Sequence, residues 1–126
     1  MDQEKRKEQI EAKKQQIDNA FVEKGFEKGA ASEYVGNKSI EVASNFTTQI
    51  STMSNESAKA YADAWKELPA EIQDYMAQVD WTNMAEATEA MEYMQSKGMS
   101  TTEIEKFWKI ATEGAGTYVK TLAEAL

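Results

Sequence analysis

The chain has 126 residues, 14 of them basic and 22 acidic, with no Cys, no His, one Pro and seven Met. Without Cys there is no disulfide framework, thiol nucleophile or Cys-based metal centre; without His there is no Ser-His-Asp triad, imidazole base or imidazole ligand. A net charge of −8 does not suit a binder of nucleic-acid phosphates, and no apolar run is long enough to span a membrane.

The length suits one domain of ordinary size, able to build a core without staples. The charge is unevenly placed. Residues 1–16 hold five basic and four acidic side chains, whereas the rest of the chain carries a net −9. Residues 1–16 lack the apolar core of a secretory signal, so the expected setting is cytoplasmic or virion-associated rather than signal-directed secretion.

Residues 2–24 read as a mostly polar helix with Ile10, Ile17, Phe21 and Val22 as its apolar positions. Its first two turns have nothing to bury and are expected to project, fray or meet another chain, making 1–24 a polar N-terminal helix or arm. Gly25 and Gly29 mark a break, and 30–35 allows a short helical turn before Gly36-Asn37. Ser39 reads as an N-cap for a face of Ala43, Phe46, Ile50 and Met53. The Thr47, Thr48, Ser51 and Thr52 cluster argues weakly against that helix.

Ser54-Asn55 supplies the next cap, and Ala58, Tyr61, Ala62, Trp65 and Leu68 follow helical spacing. Pro69 ends that helix and suits the first position of the next, whose face is Ile72, Tyr75, Met76 and Val79. Asp80-Trp81-Thr82-Asn83 reads as a turn, with Thr82 or Asn83 capping a helix striped by Met84, Ala87, Met91 and Met94. Gly98 suits a left-handed terminator, and Ser100 with Glu103 forms a capping box. Ile104, Phe107, Trp108, Ala111, Ala115, Tyr118, Val119, Leu122 and Leu126 then keep to one side of a last helix that contains Gly114 and Gly116. The uncapped end at Leu126 suggests either a cut through a continuing helix or a fraying terminus. No stretch alternates with period two, so no strand is predicted. The expectation is an all-α fold: a bundle or array of about five to six short helices (25–126) behind a polar N-terminal helical arm (1–24).

Candidate chemistry is sparse. Glu86, Glu89 and Glu92, and Asp63, Glu67 and Glu71, have helical spacing. They read as solvated faces rather than metal or acid–base pairs, since a dimetal bundle usually adds Glu-x-x-His motifs. No P-loop spacing is present, so no cofactor or metal is expected. The Asn37, Asn45 and Asn55 sequons read as by-products of a Ser/Thr-rich stretch. Trp81 reads either as a plug at a helix junction or as an exposed anchor. The Met stripe reads either as core filling or as an adaptable groove. The candidate partner-binding residues are therefore Trp81, Met84, Met91, Met94, Ile10 and Ile17.

Residues 59–126 contain Lys59-Ala60-Tyr61-Ala62-Asp63-Ala64-Trp65-Lys66-Glu67-Leu68-Pro69, then Val79-Asp80-Trp81-Thr82, a Met-rich helix, and Gly98-Met99-Ser100. In texture this resembles helical segments of phage tail tape-measure proteins, with their Leu-Pro break, Asp-Trp-Thr turn and Gly-led turn. The resemblance implies a structural role in a phage particle and no catalytic residue. The compact, well-capped helices depart from an extended lumen-filling coil. The functional expectation is a non-enzymatic helical structural or protein-interaction module, bound to a protein partner or to itself. The alternative is an acidic inhibitor or adaptor that occupies a basic site on a partner, since an acidic body steers toward basic surfaces.

Overall fold

The computed structural model describes residues 3–120, with side-chain surroundings from residue 5 onward. The described residues form seven helices and no strand: α1 (Gln3–Glu23), α2 (Ala31–Val35), α3 (Ile40–Ser51), α4 (Asn55–Lys66), α5 (Ala70–Met76), α6 (Met84–Ser96) and α7 (Thr101–Ala115). The all-α expectation holds.

Side chains set most of the boundaries. Ser39, Ser54 and Ser100 each accept a backbone N–H three residues on, and Glu103 in turn accepts the Ser100 backbone N–H, completing the capping box. Asn83, rather than Thr82, caps α6. Pro69 stands at the N-cap of α5, one position earlier than expected, because its carbonyl already accepts from Gln73 N–H. In α3 the hydroxyls of Thr47, Thr48 and Ser51 bond back to carbonyls four residues earlier. Those residues are therefore satisfied inside the helix rather than drawn out of it.

The last helix is shorter than its apolar pattern implies. It ends at Ala115, and Gly116 closes it with φ 80°, while Thr117 N–H reaches back to Thr112 C=O at 2.8 Å. A left-handed residue ends a helix whatever period the side chains keep. Tyr118 and Val119 thus lie beyond the helix; Leu122, Leu126 and the expected cut end fall outside the described residues. Nothing lies within 4 Å of a Cβ placed at Gly116, so Gly116→Ala carries a backbone penalty alone. It is expected to cost about 1–2 kcal/mol, read as a lower urea midpoint with an unchanged slope. Gly114 matters for packing instead. A Cβ there would sit 2.8 Å from Met53 Sδ, so its absence lets α7 close over the end of α3.

The core is a column of rings. Phe21 faces Phe46 at 6.0 Å between centroids, Phe46 meets Trp65 at 4.3 Å and Tyr61 at 5.6 Å, and Tyr61 continues to Phe107 at 5.6 Å. This column threads α1, α3, α4 and α7 together. The Met53–Gly114 and Tyr61–Phe107 contacts set α4 and α7 antiparallel. Phe21 against Phe46, with Lys24 Nζ donating to Met53 C=O at 2.8 Å, sets α1 parallel to α3.

The arm is therefore shorter than residues 1–24. Ile17 and Phe21 are buried in the shared core, and only residues 5–16 are exposed throughout. The boundary moves because Ile17 and Phe21 pack against α2, α3 and Phe26 of the loop after α1, which the pattern of the helix alone cannot supply.

Candidate partner-binding surface

The six candidate residues divide sharply. Trp81, Met91, Met94 and Ile17 are buried in the protein's own core, Met84 is half-buried, and Ile10 is exposed. The structure does not bring them together into one surface. Trp81 is a plug: its ring meets Phe107 in a T-shaped contact at 5.8 Å between centroids, and its N–H donates to Tyr61 Oη at 3.0 Å. The Met stripe fills the α6–α7 junction, where Trp108 donates to Ala87 C=O at 2.9 Å.

Around Trp81 lies a buried hydrogen-bond chain that sequence reasoning missed. Tyr61 O–H donates to Gln49 Oε1 at 2.7 Å, and Gln49 Nε2 donates to the carbonyls of Met76 (2.7 Å) and Val79 (2.8 Å). Gln49 thereby ties α3 to the end of α5. The signal was its spacing, three residues after Phe46 and one before Ile50, on a face where a polar side chain stays only if it is bonded. Thr117 Oγ1 fastens the other side by donating to Trp81 C=O at 2.6 Å. Beside this chain opens a cleft of about 410 Å³ lined by Asn45, Thr48, Gln49, Asp80 and Thr82. Every polar atom of Gln49 and Tyr61 is already paired inside the protein, so neither is aimed at a ligand.

A second polar tie involves Lys38, whose side chain is only 8% exposed. Its ammonium lies 2.9 Å from Asp74 Oδ1 and 5.9 Å from the Trp65 ring centre, pinning the α2–α3 connection to α5. Trp65 and Gln73 clamp the α4–α5 corner reciprocally: Trp65 N–H donates to Gln73 C=O, and Gln73 Nε2 donates to the carbonyls of Trp65 and Lys66.

The carboxylates behave mainly as a solvated face. Glu89 and Glu92 are exposed, while Glu86 is half-buried and accepts from Asp80 N–H at 3.2 Å. Tyr75, expected on a buried face, is half-buried and stacks on Tyr93 at 3.8 Å and 4°. Among the described residues no group of three acidic or other ligating side chains is placed to hold a metal ion, and no helix is long and apolar enough to cross a membrane.

Three tyrosines hold their protons more tightly than a free phenol, Tyr75 through burial and then the nearby carboxylates of α6. Burial, then the hydrogen bond to Asp63 at 2.7 Å, pushes Tyr34 up to about 12, and burial also pushes Tyr61 upward. A pKa raised in the folded state stabilises fully below the unfolded value near 10 and is lost as pH climbs through the folded value. Stability to urea is therefore expected to fall from about pH 10 upward, and phenolate absorbance to lag behind that of free tyrosine until the chain unfolds.

The remaining surface feature is the arm and its root. Ile10 and Ile17 lie seven residues apart on one face of α1. At Ile17 that face meets a mainly apolar groove of about 290 Å³ between α1, α2 and α3, lined by Lys14, Ile17, Ala31, Val35 and Ile40. Comparison of the chain with protein families, with curated proteins and with solved structures finds no match.

Proposed function

We propose that this protein is a non-enzymatic helical module that works by holding other proteins, as a structural or tape-measure-like component of a phage particle. One observation carries the reading. Residues 5–16 form a helix about 18 Å long with every residue exposed. A helical segment of this length gains little from its own backbone in water. Its place on a well-packed body makes it an arm for docking. The buried polar side chains support the same reading, because Gln49, Tyr61, Trp65, Trp81 and Trp108 use their hydrogen bonds within the fold. The resemblance of residues 59–126 to tape-measure segments supports the phage setting.

The test is capture by the full chain from the native host and from purified particles. A particle protein that is retained by the full chain and lost when residues 1–16 are removed is the expected result. A second reading, an acidic inhibitor or adaptor for a basic protein, draws on the −9 body. It predicts capture that survives removal of the arm and weakens steadily with salt. No specific capture at low salt counts against both.

A further inference from the structure

The exposed face of α1 has an order to its charges. Lys7, Glu11, Lys14 and Asp18 follow one another at intervals of four, three and four residues, so they form one stripe of alternating sign beside Ile10 and Ile17. Among the described residues Lys7, Glu11 and Lys14 make no ion pair, and Asp18 accepts only the Gly29 N–H, at 2.9 Å. The stripe leads into the apolar groove at the root of the arm, where Lys14 and Asp18 stand on the rim. Ile10, 42% exposed, sits two turns up the same face from Ile17.

We propose that this face is covered by a second copy of the chain, with the two arms lying antiparallel. Read backwards, the stripe is its own complement. A two-fold axis between Glu11 and Lys14 sets Lys7 of each copy against Asp18 of the other and Glu11 against Lys14, so one operation forms four opposite-charge pairs. A parallel pairing in register would set like charge on like. The same antiparallel register carries Ile10 of each copy to the mouth of the other's groove, beside Val35 and Ile40, where its exposed apolar surface leaves water. The contact is smaller than a standard stable interface and rich in charge, so the dimer forms at high protein concentration and loosens with salt. The inference rests on the reading of the arm as a docking element, but it names the occupant of the groove.

Sedimentation equilibrium at low salt, over a series of concentrations, tests it. The wild-type chain is expected to move toward twice its mass as concentration rises. Glu11→Lys and Lys14→Glu, each of which sets like charges together across the axis, are expected to weaken association by roughly tenfold or more. An equimolar mixture of the two single variants is expected to dimerise again, since each now complements the other, and so is the double variant that carries both changes. Circular dichroism checks that the variants keep wild-type helix content, as substitutions at exposed arm positions should. A wild-type chain that stays monomeric throughout overturns the proposal, as do single reversals without effect or a mixture that fails to recover. Capture of a particle protein through the arm is a separate readout, so a monomeric chain that still captures one leaves the interaction-module reading standing and gives the groove to that protein.

Discussion

Trp65→Ala is expected to lower the free energy of unfolding by about 3–5 kcal/mol, the range for a large ring removed from a packed core. The indole has no exposed surface, lies 4.3 Å from Phe46 between ring centres, and donates to Gln73 C=O at 2.9 Å. Truncation would therefore open a cavity, unstack the middle of the aromatic column and strand one acceptor at the α4–α5 corner. Lys38 would also lose the ring beneath its ammonium. Urea unfolding followed by far-ultraviolet circular dichroism measures the effect. A midpoint within error of wild type would show that the column does not carry the fold.

Gln49→Leu should come close to that loss with almost no change in volume. Leucine fits the space but offers no donor to Val79 C=O and no acceptor to Tyr61 O–H, which are bonded to Gln49 at 2.8 and 2.7 Å. Each buried group left without a partner costs about 1–3 kcal/mol. Tyr61→Phe removes the other half of the same link and strands Gln49 Oε1 and the Trp81 N–H. The two changes share one bond, so the double variant is expected to lose less than the sum of the singles. Strict additivity would mean that the three side chains do not act as one chain of bonds.

Much of this fold was legible because its signals are local. Ser39, Ser54 and Ser100 announce their helices through a hydroxyl three residues ahead of a backbone N–H, and Gly98 adopts the left-handed conformation its position implied, at φ 84°. What stayed hidden depends on contacts made far along the chain. Ile17 and Phe21 fell within the 1–24 arm because what buries them, Phe26 and the faces of α2 and α3, lies beyond that helix. Gln49 was not singled out because its bonding partners lie 12 to 30 residues away. Gly116 was hidden by an apolar period that continues past it to Tyr118. Of the candidate site, the polar arm and exposed Ile10 were legible. The groove was not, since it exists only where three helices converge.

Burial of the three tryptophans has a practical consequence. Each indole N–H is bonded inside the protein, to Gln73 C=O from Trp65, to Tyr61 Oη from Trp81 and to Ala87 C=O from Trp108. The three rings mark the α4–α5 corner, the turn before α6 and the α6–α7 junction. Their emission shifts to the red when water reaches each place. Chains keeping one tryptophan at a time would thus report on three separate joints, and coincident or staggered transitions would show whether the domain melts as a single cooperative unit or joint by joint.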